Sequence, residues 1–302
     1  MTAEKTTREY TYAGLAAVLS ANIGWGFADN LISLLNRGNL VVWLHSTTGA
    51  IFLLVVTLGL KQKLVWKDFL HTFPIGLQRS IVWIALFLAF QEDNPAIGIT
   101  VLSFAGVIVI LVFGPKLGEK ITPKILVLSL IGVIGLLATS LKDLNQFEFT
   151  RGSLLALMVL PVSAAGTYIL RNVQKKVPTK TAPFYMYMWI AILTTPLLSI
   201  IDVRLGFTTK DTIVLILLAI IGAGGHLLFT YSQNHTSFRF NTIASTIHNP
   251  MTAIGAWLLL DKVLKVHQII GMAIVSCVVA YMTLSTRKKA ALELQENLEP
   301  NV

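Results

Sequence analysis

Five ionisable side chains stand inside long apolar runs of this sequence: Asp29, His45, Arg79, His226 and His248. In lipid, a charged residue at mid-helix costs about 2.5–3.5 kcal/mol to insert, so such a residue faces a cavity or a partner. Asp29 could exchange a proton or hold a cationic group of a substrate. Equally, it could form an ion pair with Arg79 or His45, or lie near enough to the outer interface to be solvated. Arg79 carries a planar fork of donors suited to a carboxylate, or it pairs with Asp29. His45 could relay protons or bond substrate, or serve as a hydrogen-bonded structural histidine. His248 and Asn249 precede Pro250, which removes a backbone donor and can turn polar groups toward a cavity. His226 follows Gly222-Ala223-Gly224-Gly225, a run of small residues that favours close helix packing, so it reads first as a packing histidine.

The aromatics Trp25, Trp83, Tyr168, Tyr185 and Trp189 fit either a cavity wall, where ring faces meet cations or apolar groups, or the two membrane interfaces. Asn22, Gln78 and Tyr231 could add hydrogen bonds within a cavity or between helices. The expected pathway set is Asp29, His45, Arg79, Trp25, Trp83, His248 and Asn249. No Cys/His metal spacing occurs, and the single cysteine, Cys277, lies in an apolar run as a small packing residue. No metal and no cofactor are expected.

These residues need elements to hold them. Of 302 residues, 54% are hydrophobic and 13% charged, with a mean hydropathy of +0.70. Soluble domains carry about a quarter charged residues, so this chain cannot cover a globule with polar surface. Its apolar residues fall in blocks near the roughly 20 residues that cross a bilayer. Ten spans are predicted: Tyr12–Leu35, Leu40–Leu60, Phe69–Phe90, Ala96–Phe113 and Ile125–Leu141, then Gly152–Arg171, Ala182–Ile201, Thr212–Ser232, Asn241–Leu260 and Val266–Thr286. Asn36-Arg37-Gly38-Asn39, Asp93-Asn94-Pro95, Gly114-Pro115 and Pro178 punctuate them. The first block is longer than the 7–15 apolar residues of a signal peptide and leads directly into more spans, so it is read as retained. The fold expected is an all-α membrane protein of ten transmembrane helices.

The net charge is +9, but the basic residues sit in short connectors, which argues for topology and against nucleic-acid binding. With the amino terminus inside, 16 Lys and Arg fall on inner segments and 7 on outer ones, with Arg79 inside a span. The positive-inside rule then places both termini in the cytoplasm, and the location expected is a bacterial cytoplasmic membrane. Each half has five spans, an odd number, so the second half starts on the opposite face. Gly118-Glu119-Lys120-Ile121-Thr122 after span four is echoed by Leu260-Asp261-Lys262-Val263 after span nine. That is the logic of an inverted repeat, with the substrate site between the halves near the midplane. The units are residues 11–141 and 152–286, followed by a cytoplasmic tail, 287–302. Spans one, three, four, six, eight and nine are expected to border the cavity.

Gly118-Glu119-Lys120-Ile121-Thr122, the span carrying Gly132 and Gly135, Trp25-Gly26, Asn249-Pro250 and Ala256-Trp257 together resemble the ten-helix EamA-type branch of the drug/metabolite transporter superfamily. The resemblance runs over nearly the whole chain in span count, length and loop pattern. It implies two inverted five-helix halves around a central cavity, alternating access, and movement of amino acids and other metabolites, mostly outward. The chain departs from the pattern in Asp261-Lys262, where Gly-Glu is common. It also lacks a Pro in the first half of span four and has His45 near where many members carry Arg.

Other functions lack their signatures. No His-Glu-x-x-His or Gly-x-Ser-x-Gly motif suggests an intramembrane enzyme, and no phosphate loop suggests an ATP-driven pump. No ring of charges suggests a channel. The expected function is secondary transport of a small metabolite, an amino acid or a related polar or cationic solute, in the export direction, with a proton as coupling ion and the lipid bilayer as surroundings. The alternative is a membrane enzyme or sensor without transport.

Overall fold

The computed structural model describes residues 12–35, 40–92, 122–141, 151–199, 207–236, 240–241 and 244–261. It also describes residues 95–96, 98–99, 102 and 112 of span four and 265–267, 269–271, 273–274, 277–278 and 281 of span ten. The described residues form helices and no strand. Six helices among them are long and apolar enough to cross a membrane, and Pro123–Gly135 is a shorter apolar one. The motif at residues 118–121 and the tail at 287–302 lie outside the described residues.

Solvent preference is inverted. Ile51, Val55, Met158 and Ile134 are exposed, whereas Asn22, His45, Gln78, Gln233 and Asn241 are buried. Water would reject that arrangement and lipid favours it, because an apolar exterior needs no partner and buried polar groups bond one another.

Local chemistry sets the helix ends and breaks. Span three starts with a short helix, Trp66–His71, and restarts as Phe73–Glu92. Pro74 has no N–H to give to a continuing helix, so the chain begins a new first turn there. Span six runs from Arg151 to Gln174. Span seven is α-helical over Ala182–Thr194 and tightens to a 3-10 turn over Thr195–Ser199, around Pro196. Span eight begins at Thr209, three residues earlier than predicted, where Thr208 and Asp211 form a reciprocal capping box. It reaches His235 with a π-turn at Ala219–Ala223. Span nine passes a 3-10 turn, Ser245–Ile247, before the α-helix His248–Leu260. Pro250 lacks the N–H that a continuous α-helix would send back to residue 246.

The helices pack through small residues. Spans one and nine run parallel, with Gly26 against Met251 and Asn30 against Gly255. Spans one and eight run antiparallel, with Gly14 against His235 and Trp25 against Gly225. Spans two and seven are also antiparallel: Trp43 Nε1 donates to Thr195 Oγ1, and Gly49 meets Tyr187. Spans two and eight run parallel, His45 meeting Gly222 and Phe52 meeting Gly224. Span three packs on spans six and seven, and Gly135 lets span five lie against Ile274 of span ten. At one end of the bundle, Tyr185 Oη accepts the Val65 N–H at 2.6 Å and Trp189 Nε1 donates to the Phe69 carbonyl at 2.7 Å. Those two aromatics fasten span seven to the first helix of span three and the residue before it.

Candidate functional site

A cavity of about 200 Å³ lies where these helices converge. Each wall is a helical stripe: Asn22, Trp25, Asp29 and Ile32 from span one; Arg79, Val82, Trp83 and Leu86 from span three; Gly222, His226 and Phe229 from span eight. Spacings of three and four residues keep such side chains on one face. Ile99 and Leu102 of span four, Ser163 of span six, and Ser245, Thr246 and His248 of span nine complete the wall, with His45 entering from span two. All six spans expected to border the cavity do so, and span two is added through His45.

Six of the seven expected pathway residues, Asp29, His45, Arg79, Trp25, Trp83 and His248, come together here. Asn249 is fully buried and does not line the cavity. His226, which the small-residue run had suggested as a packing histidine, is part of the wall. Gln78 instead donates to the Val162 carbonyl of span six at 3.0 Å, and Tyr231 stacks on His235 with ring centroids 3.9 Å apart.

Asp29 pairs with neither Arg79 nor His45. His248 Nε2 donates to its Oδ2 at 2.7 Å, and the Thr252 hydroxyl lies 3.1 Å from the same oxygen. Parallel packing of spans one and nine decides this: Gly26 brings the two backbones together, and Asn30 Nδ2 bridges them by donating to the Thr252 carbonyl at 2.9 Å. Sequence reading missed Thr252. Its place one helical turn after His248 was the available signal.

Arg79 is left without a carboxylate. Its Nε is buried and meets no hydrogen-bond partner, and it forms no ion pair among the described residues. Asn22 donates through Nδ2 to the Val18 carbonyl at 2.7 Å, while its Oδ1 is buried and unengaged.

A second network crosses between helices. The Gly222 carbonyl, within the π-turn, accepts Trp25 Nε1–H at 3.1 Å and His226 Nδ1–H at 3.0 Å. Single π-turns recur at functional sites because they expose backbone groups that an α-helix would use internally. Tyr187 Oη lies 3.1 Å from His226 Nδ1 and 3.4 Å from His45 Nε2. The Tyr187 hydroxyl sits between the two rings, its direction set by their tautomers, and His45 Nδ1 is buried without a partner. Trp83 stands beside this chain, with ring centroids 5.0 Å from His45 and 5.5 Å from His226. Nothing in the sequence separated Tyr187 from Tyr185 or Trp189, two positions away on either side. Tyr187→Phe removes only the shared hydroxyl. It should cost about 1 kcal/mol in equilibrium unfolding in mixed micelles; unchanged stability and unchanged flux would show that the hydroxyl bridges nothing of consequence.

Comparison with known proteins follows the same line. Residues 150–284 match the profile of the EamA-like transporter family. No curated protein matches the chain. A solved structure described only as "Crystal structure of protein" is similar with a TM-score of 0.74 and 16% identity, over 91% of this chain and 98% of that one. At that identity the likeness establishes a shared fold and nothing more.

Proposed function

We propose that this chain, a multi-pass membrane protein carrying an EamA-like transporter domain over residues 150–284, is a secondary transporter. It moves a small metabolite, an amino acid or a related polar solute, outward by alternating access between two inverted five-helix halves. The observation that carries this reading is the cavity itself. Asp29, His45 and Arg79 of the first half and His226 and His248 of the second meet across one small space. Binding residues divided between two halves are what a rocking mechanism requires, because relative motion of the halves then opens the same site to either side.

Helix pairing supports the inversion. Exchanging each span with the one five places on turns the pair one–eight into six–three and the pair three–seven into eight–two, and leaves two–seven unchanged; each of these pairs packs. Spans two and seven, counterparts under that exchange, run in opposite directions. Cytoplasmic termini are supported by the loop charges. In a Cys277→Ala background, Asn145→Cys should react with an impermeant thiol reagent from outside intact cells and Lys176→Cys should not. The opposite pattern would reverse the orientation.

The Asp29–His248 pair is the group best placed to carry a coupling proton, since its carboxylate and imidazole both lie on the cavity wall and share a hydrogen bond along which a proton can pass. An efflux panel of small metabolites with the purified protein in liposomes tests the function. Saturable flux of at least one solute, driven by its own gradient or a proton gradient, is expected. Absence of flux across the panel, with well-folded protein, would favour an enzyme or sensor.

A further inference from the structure

Span one holds Thr252 of span nine at three points. A Cβ added to Gly26 would stand 2.7 Å from its nitrogen, Asn30 Nδ2 donates to its carbonyl at 2.9 Å, and its hydroxyl lies 3.1 Å from Asp29 Oδ2. The residue is fully buried, so no water competes for that hydroxyl.

The hydroxyl has a second acceptor. The His248 carbonyl, one turn earlier, lies 3.0 Å from Oγ1. A helical threonine reaches the carbonyl four residues back from an ordinary rotamer, so one side-chain position serves both acceptors. A hydroxyl has a single proton to give. It cannot donate fully to both, and choosing between them requires only rotation about the Cβ–Oγ1 bond.

Charge decides the choice. An ionised carboxylate is a stronger acceptor than a carbonyl and draws the Thr252 hydroxyl. When a proton sits on Oδ2, that oxygen is itself a donor, aimed at His248 Nε2 2.7 Å away, and the His248 carbonyl becomes the better acceptor for Thr252. The protonated pair therefore has two forms. In one, an imidazolium stands beside a carboxylate and the hydroxyl is on Asp29. In the other, a neutral imidazole stands beside a carboxylic acid and the hydroxyl is on the His248 carbonyl. Passing from the first to the second breaks the Nε2–H bond, whose electron pair stays on nitrogen, and forms the Oδ2–H bond, with no change in the net charge of the pair.

The other titratable groups on the wall are His45 of span two, Arg79 of span three and His226 of span eight, while spans four and six bring Ile99, Leu102 and Ser163. Among the described residues, the side chains bonded to the Asp29 carboxylate are His248 and Thr252.

We propose that Thr252 is the positioning residue of this proton site. By donating to Asp29 its hydroxyl keeps the shared proton on His248, and by turning to the His248 carbonyl it lets that proton rest on Asp29. The assignment deepens the proton-coupled transporter reading and rests on it for its place in a cycle, but the proton's position can be read without any transport.

Infrared spectra of the full-length protein in detergent read it, the acid and carboxylate bands of Asp29 being those that Asp29→Asn removes. Thr252→Val and Thr252→Ala both take away the hydroxyl, the first at nearly constant volume and the second without crowding the carboxylate, so one serves if the other folds poorly. In both, the ratio of acid to carboxylate at a given pH should rise about tenfold or more, the loss of one hydrogen bond to a charged group. Thr252→Ser keeps the hydroxyl and should give the parent's ratio. An unchanged ratio in the Val and Ala variants, an equal rise in the Ser variant, or no band assignable to Asp29 at any pH where the protein stays folded would overturn the assignment. The expected ratios in a protein that moves no solute would uphold the role of Thr252 and remove the transport reading. Flux of a solute with unchanged ratios would do the reverse.

Discussion

Asp29→Asn should stop transport while leaving the protein folded. Asparagine keeps the shape and can still accept from His248 Nε2 and Thr252, which lie 2.7 Å and 3.1 Å from Asp29 Oδ2, so packing between spans one and nine survives. What goes is the charge, and with it any exchange of a proton at that position. If that exchange is part of the transport cycle, flux falls on the order of a hundredfold or more. Thermal unfolding in detergent and flux in liposomes, measured on the same preparation, separate the alternatives. Normal flux with lowered stability would make Asp29 a structural partner of His248. No change in either would mean that the site's chemistry lies elsewhere, nearest at Arg79.

Gly26→Val should have the largest effect on the fold. A Cβ at Gly26 would lie 2.4 Å from Met251 Cβ and 2.7 Å from the Met251 carbonyl carbon and the Thr252 nitrogen. Two of those three atoms are backbone of span nine, so no side chain can swing away, and the helices must separate. Separation breaks the Asn30 bridge to the Thr252 carbonyl and pulls His248 from Asp29. Overpacking alone costs about 1–3 kcal/mol, and the lost bonds add to it, so folded yield should collapse. Gly59→Ala is the control, because no atom lies within 4 Å of a Cβ there; its yield should match the parent. Equal yields for both variants would show that the span one–nine contact is dispensable.

Much of the site was legible in the sequence because the medium makes polarity rare. Asp29, His45, Arg79 and His248 stood out against apolar runs, and helical spacing put Trp25 with Asp29 and Arg79 with Trp83 on common faces. Their partners were not legible. Pairing of Asp29 with His248 depends on which helices are neighbours, and hydropathy reports that a segment is apolar without reporting what it packs against. The contacts that choose the neighbours are close approaches at Gly26, Gly49, Gly222 and Gly255, and small residues are too common in apolar helices to announce such contacts individually. The same limit hid Tyr187, whose role exists only because His45 and His226 meet it from two other helices. Breaks in the helices were partly legible: Pro74, Pro196 and Pro250 mark three of them, whereas no residue marks the π-turn at Ala219–Ala223.

Counterflow in liposomes tests the transporter reading most directly. Vesicles loaded with a high concentration of an unlabelled solute from the efflux panel, then diluted into trace labelled solute, should accumulate label transiently above its outside concentration. A carrier that exposes one site alternately to each side produces that overshoot. Asp29→Asn should abolish it and Gly59→Ala should preserve it. Label that rises only to equilibrium would indicate a passive pore, and no protein-dependent uptake of any panel solute would contradict transport altogether.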